Sequence, residues 1–172
     1  MLVLAACLQV KAQGVPTFHL QQYADLSIVN QLSDNGKWAI VKGATTEQRK
    51  AGVIRIVNTE TKEETILKTL LDGDAKGLYV ANDITDDGRW VVGGFKGSFT
   101  DDGSYMGGQP GVFDMVQKIW TALELPEGYT SGYVNSVTPD GKWAVGFCEY
   151  NAMDVMSSNS KGVMWDLETR KV

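Results

Sequence analysis

The sequence has few of the residues that usually carry chemistry. Its 172 residues include one histidine, His19, and two cysteines, Cys7 and Cys148. Two cysteines form no zinc-type spacing, and a Ser-His-Asp or Cys-His pair would have to be built around His19, in a short strand near the N-terminus. Cations are scarce as well: 16 Lys and Arg stand against 21 Asp and Glu, for a net charge of -5 and a pI near 4.9. Lys37, Arg89 and Lys142 fall singly, so the clustered cations of a nucleic-acid footprint are missing. No hydrophobic run approaches the ~20 residues needed to span a bilayer. Proline is limited to 4 residues, against 19 Gly. Glycine together with many Val, Ile, Thr, Trp and Tyr is the profile of short strands joined by tight turns, with little helix.

The apolar opening, "MLVLAACLQV" followed by Lys11 and Ala12, reads as an export signal over residues 1–12, cleaved before Gln13. No positive segment precedes it, which points to a start codon upstream of Met1. The rival reading is a lipoprotein signal, because "LAAC" resembles a lipobox and would make Cys7 a lipid anchor. Either signal implies an exported protein that is periplasmic, outer-membrane-associated or extracellular. After processing Cys148 stands alone, and a lone buried cysteine behaves as a small apolar residue.

What the sequence does have is one phrase written three times. "QLSDNGKWAIVK" starts at Gln31, "DITDDGRWVVGG" at Asp83 and "SVTPDGKWAVGF" at Ser136. Trp38, Trp90 and Trp143 are 52 and 53 residues apart, and Asn30, Asn82 and Asn135 keep the same spacing. A second block, "GVIRIV", "GVFDMV" and "GVMWDL", follows from Gly52, Gly111 and Gly162. Such a period points to a repeat architecture. Each repeat offers four strands. In the first, simple alternation puts Ile28, Asn30 and Leu32 on one face, likewise Val80, Asn82 and Ile84, and Tyr133, Asn135 and Val137. The second, "WAIV", "WVVG" or "WAVG", is apolar on both faces, as a strand buried within a sheet should be. The fourth, "ETILKTL" or "IWTALEL", has barely begun in the last repeat at Val172.

These features predict an all-β fold: a β-propeller fragment of about three four-stranded antiparallel blades. The repeats lie at about 24–72, 73–125 and 126–172 within a partial propeller over residues 13–172, the last being incomplete. Propellers usually have about 4 to 8 blades. "TFHLQQ" from Thr17 fills the slot of a fourth strand from a further blade, so the expectation is a piece of a longer ring. The first hairpin is predicted as a type I turn, with Pro139 and Asp140 at its centre and Gly141 left-handed; Gly36 and Gly88 hold the same slot.

The segments "LELPEGYTSGYVNSVTPDGKWAVGF" and "KGVMWDLETRKV" resemble two related bacterial propeller families. One is the HAF-type extracellular repeat; the other is the TolB-type repeat with its "SPDGK" turn. The resemblance covers nearly all of residues 13–172, although no intact "AFLW" is present. It implies a blade scaffold and assigns no site, because the families' shared residues build the blade.

Candidate sites are correspondingly thin. The acidic turns "TDDGS" from Thr100 and "DGD" from Asp72 lack EF-hand spacing and read as solvated turns, so neither metal nor cofactor is expected. The repeated Asn30, Asn82 and Asn135 read as ties from side chain to backbone between strands or blades, or alternatively as a ring of amides lining a channel. The tryptophans read as blade core rather than a sugar platform, and on that reading Trp143→Ala costs roughly 3 to 5 kcal/mol. The unequal loops 95–110 and 148–161 are where recognition would sit, with Tyr105, Met106, Tyr150 and Met153 as binding candidates. The function expected is a secreted, non-catalytic scaffold for an unknown protein or glycan ligand. The alternatives are a carbohydrate-active propeller enzyme whose catalytic residues lie partly in missing blades, and a sensor ectodomain.

Overall fold

A computed structural model describes residues 27–43, 54–67, 78–99, 101, 105–150 and 160–172. The readings made for residues 1–12 with Cys7, for His19 and its strand, for Asp72 to Asp74, for Met153 and for most of Thr100 to Ser104 lie outside the described residues. Three antiparallel sheets follow one another along the chain. Blade 1 is β1 (Ser27–Leu32), β2 (Trp38–Gly43), β3 (Ile54–Asn58) and β4 (Glu64–Ile66), paired in that order. Blade 2 is β5 (Leu78–Ile84), β6 (Trp90–Phe99), β8 (Gln109–Asp114) and β9 (Ile119–Ala122), with the short β7 (Tyr105–Met106) added to the end of β6. Blade 3 is β10 (Ser131–Val137), β11 (Trp143–Glu149) and β12 (Ser160–Asp166), after which a single bridge joins Asp166 to Lys171. Among the described residues the architecture is all-β and propeller-like, and the third blade has three strands.

The repeated phrase forms the first hairpin of each blade by the same hydrogen bonds. Gly36 N donates to Ser33 O at 2.8 Å, Gly88 N to Thr85 O at 2.9 Å and Gly141 N to Thr138 O at 2.8 Å, and all three glycines have φ of +71°. The hydroxyl of Ser33, Thr85 or Thr138 donates to Asn35, Asp87 or Asp140 and accepts the N–H of the following Trp. A polar S/T-x-D/N-G phrase is therefore a closed local network, in which short side chains stand in for backbone partners. A second repeated turn ends the third strand. Asn58, Asp114 and Asp166 accept two backbone N–H groups each through their side chains. The turn closes on Lys62, Lys118 and Arg170, all at positive φ.

Simple alternation fails in the first strand of every blade. The pairing register shifts between Val29 and Gln31, between Ala81 and Asp83, and between Val134 and Ser136, so Asn30, Asn82 and Asn135 each occupy a β-bulge. An extra residue reverses the facing of whatever follows it. Ile28 pairs with Lys42 but Leu32 with Ala39, and Tyr133 pairs with Phe147 but Val137 with Ala144, so the members of each pair lie on opposite faces. The shared face expected for Ile28, Asn30 and Leu32, and for their counterparts, is corrected accordingly.

Each blade has a forward face, packed on the next blade, and a rear face, packed on the one before. Ile40, Ile54, Ile56 and Leu67 of blade 1 pack on Ala81, Ile84, Val91 and Phe113 of blade 2. Val92, Val112 and Leu123 of blade 2 pack on Val134, Val137, Ala144, Cys148, Val163 and Trp165 of blade 3. The next forward face is open: Trp143 is 42% exposed, Val145 45% and Met164 55%. Two expectations change with it. β11 is buried on its rear face only, and Trp143 is not a core residue among the described residues, because a forward face is buried only by the blade that follows.

Candidate recognition surface

The two ends of the blades differ in kind. At one end lie the repeated turns, and Trp38 and Trp90 bridge neighbouring blades there. A Cβ on Gly88 would sit 2.1 Å from the Trp38 ring, and one on Gly141 would sit 2.8 Å from Trp90, so each glycine is the floor of a tryptophan socket. Polar bonds run alongside. Asn35 N donates to Asp86 Oδ1 at 2.8 Å, and Asn35 Nδ2 to Asp86 O at 2.9 Å. Asn82 Nδ2 donates to Val134 O at 2.8 Å, a bond from one blade to the next. Asp83, buried, accepts from Ser136 Oγ at 2.6 Å and Val137 N at 2.9 Å, again across blades. Asn30 and Asn135 are exposed.

The charged groups at this end are engaged with one another and with backbone. Arg89 lies 4.4 Å above the Trp90 ring and 3.1 Å from Asp114. Burial raises the Asp114 carboxyl pKa, but the N–H groups of Gln117 and Val116 and the Arg89 guanidinium outweigh it and hold the group below its usual range. The Thr138 hydroxyl and Lys142 N–H lower that of Asp140. A cleft of about 210 Å³ beside the second socket is bordered by Trp90, Lys142, Trp143, Glu168 and Arg170. It combines an aromatic wall with both signs of charge.

At the opposite end the blades cease to be alike. Ser98 pairs with Met106 and Phe99 with Tyr105, so blade 2 extends beyond the sheet as a short hairpin arm whose return strand holds Tyr105 and Met106. Blade 3 ends β11 at Glu149, followed by Tyr150, which is exposed and edge-on to Tyr129 with ring centroids 6.2 Å apart. Gly132 N donates to Gly108 O at 2.9 Å, tying the arm's base to the entry of β10. Thr130 holds the end of β11, with its N–H on Glu149 O at 3.0 Å and its hydroxyl on Tyr150 O at 3.0 Å. Tyr105, Met106 and Tyr150 therefore sit on connections at the same end of adjacent blades. Tyr129 was missed in the sequence because it lies in the lead-in "LPEGYTSG", which reads as scaffold. Ser131 Oγ, beside it, is buried with no hydrogen-bond partner among the described residues.

Two titratable groups are buried within the scaffold. Burial, and secondarily Glu149, pushes the Cys148 thiol up to about 11, which makes it unreactive. Burial brings the Lys42 ammonium down to about 8, with Asn82 Oδ1 3.4 Å away. Among the described residues no group of three or more His, Cys, Asp or Glu is placed to hold a metal ion, and no helix is long and apolar enough to cross a membrane.

No protein-family model and no curated protein matches the sequence. Solved structures do. The chain is similar to the tricorn protease at 19% identity with a TM-score of 0.51, over 82% of this chain and 14% of that one. It also aligns with a putative TolB from Agrobacterium tumefaciens at 12% identity and a TM-score of 0.48, over 80% of this chain and 41% of that one. An oligogalacturonate lyase from Vibrio parahaemolyticus aligns at 14% identity and a TM-score of 0.46, over 81% of this chain and 36% of that one. The chain thus spans less than half of each of these proteins. At such identities the likeness concerns the fold alone, and of these three it is the first, at a TM-score of 0.51, that agrees with the propeller-like stack of antiparallel blades described above.

Proposed function

We propose that the chain is a non-catalytic binding scaffold, exported to the bacterial envelope or beyond, whose recognition surface is the loop end of blades 2 and 3. The observation that carries this reading is the division of labour between the two ends. At the turn end, polar residues of the repeat are consumed in building the blade: Asp83, Asp86, Asp87, Asp114, Asp140 and Asp166 all accept hydrogen bonds within or between blades. At the loop end the repeat breaks down into an arm carrying Tyr105 and Met106 and a tyrosine pair, exposed Tyr150 edge-on to half-buried Tyr129. Paired tyrosines at the rim of a rigid sheet offer stacking faces and hydroxyls, which suit a glycan or a protein segment. The finer likeness to HAF-type and TolB-type repeats belongs to the same proposal.

The test is an oligosaccharide and peptide array, followed by calorimetric titration of the best binder. Tyr150→Ala should weaken binding by about tenfold, that is ~1.4 kcal/mol, with unchanged thermal unfolding, whereas Tyr129→Ala should weaken binding and also lower the unfolding temperature, because Tyr129 packs against the core between blades 2 and 3. Mass spectrometry of the recovered binder should show it chemically unaltered. Cleavage or elimination in it would replace this reading with an enzymatic one.

A further inference from the structure

We propose that the cleft at the turn end of blades 2 and 3 takes a guanidinium group from outside the chain, the arginine of a peptide segment, paired with Asp166 and stacked on Trp143. This cleft is distinct from the loop end, and blade 2 already holds the same arrangement within itself. There strand register sets Trp90 opposite Asp114, and Arg89 completes the group, 4.4 Å from the centre of the Trp90 ring and 3.1 Å from Asp114 Oδ2. Asp114 Oδ1 meanwhile accepts the N–H groups of Val116 and Gln117, so one carboxylate oxygen holds the turn and the other holds the cation. A guanidinium suits that place because it is planar, lying on the indole while its N–H groups reach the carboxylate.

Blade 3 repeats the frame without the cation. Register sets Trp143 opposite Asp166, and Asp166 Oδ1 accepts from Glu168 N and Thr169 N. Among the described residues nothing is bonded to Asp166 Oδ2. Position 142 is a lysine, and its ammonium lies 3.2 Å from Asp140 instead. Asp166 and Glu168 border the cleft of about 210 Å³ together with Trp90, Trp143 and Arg170, so with Lys142 engaged on Asp140 the lining has a carboxylate in excess. Blade 1 has no such site: Asn58 stands where the other blades have Asp, and Lys37 lies 3.8 Å from Glu60. The frame comes from strand pairing within one blade. In blade 2 it holds Arg89 with blade 3 seated alongside, so the site does not depend on what lies beyond blade 3.

NMR titration of the full chain, followed through the tryptophan indole N–H signals and the amides of residues 166–170, tests this. The probe is N-acetyl-Gly-Arg-Gly-amide, compared with the same peptide carrying citrulline, which keeps the planar shape and loses the charge. The arginine peptide should shift the Trp143 indole and the 166–170 amides saturably, and the citrulline peptide should bind about fivefold or more weakly. Asp166→Asn should weaken arginine binding by about fivefold or more with the rest of the spectrum intact, because Asn58 makes the same turn in blade 1 with two backbone N–H groups. Lys142→Arg should weaken it as well, since its own guanidinium then takes the place that Arg89 takes in blade 2. Should Asp166→Asn loosen the turn, Lys142→Arg, which keeps both the turn and the charge, decides. Equal binding of the two peptides, undiminished binding to Lys142→Arg, or the lack of any saturable shift at the turn end would each overturn the proposal.

Discussion

Blades 2 and 3 carry nearly the same second strand, "WVVG" and "WAVG", and nearly the same turn before it, yet Val92 is buried and Val145 is exposed. The difference lies outside the strand. A third blade covers Val92 and Trp90 and seals the socket at Gly141, whereas among the described residues no blade covers Val145 and Trp143. A repeat motif encodes the shape of its own blade and the half-contacts on its two faces, and burial comes only when a neighbour supplies the other half. Stability is then mostly a property of neighbouring pairs, as in other repeat proteins.

Equivalent substitutions in the two blades should therefore have unequal effects. The largest gap is expected between Val92→Asp and Val145→Asp. The first buries an unpaired carboxylate between blades and should cost more than about 4 kcal/mol in urea unfolding; the second, measured on the dilute chain, should cost less than ~1. Trp90→Ala should come next, at about 2 to 4 kcal/mol, against about 1 or less for Trp143→Ala. That replaces the 3 to 5 kcal/mol expected of Trp143 as a core residue. Equal costs for the two tryptophans would place Trp143 in a buried setting. Among the polar links, Asp83→Ala leaves the Val137 N–H unsatisfied and should cost about 2 kcal/mol, Asn82→Ala about 1 and Asn135→Ala close to nothing.

The smallest effect concerns pH. Lys42 holds its proton to about 8 in the folded chain against an ordinary 10.5, so between those values the unfolded chain binds more protons and stability rises with pH. Cys148 has the opposite sign. Its folded pKa of about 11 lies above its ordinary 9.0, so its stabilising contribution is lost as pH climbs through that interval. From pH 8 to 9 Lys42 acts nearly alone, and Lys42→Met should flatten the rise in that window. A rise that persists unchanged in the variant would locate its source elsewhere.

The blades, their turns and the positive-φ glycines were legible in the sequence because they depend on local chemistry. Thr138, Pro139, Asp140 and Gly141 need only one another to make their turn. The bulges at Asn30, Asn82 and Asn135 were not, although the asparagines themselves stood out. A bulge is set by pairing with the partner strand, and period-2 alternation misassigns every residue beyond it. The exposure of Trp143 was hidden for a related reason, since a residue's environment on a forward face belongs to the next blade. The loop end was readable as unequal, from the lengths of its connections. Its pairing of Tyr129 with Tyr150 joins residues of two different connections, and no spacing rule announces it.

Hydroxyl-radical footprinting of the dilute chain, read by mass spectrometry residue by residue, addresses the central claim most directly. If neighbouring blades supply burial, Trp143 and Met164 should be oxidised several times faster than Trp38 and Trp90, which sit in the same motif two blades and one blade earlier. Equal protection of Trp143 and Trp90 would contradict the account, because the motif would then be burying its tryptophan without a following blade.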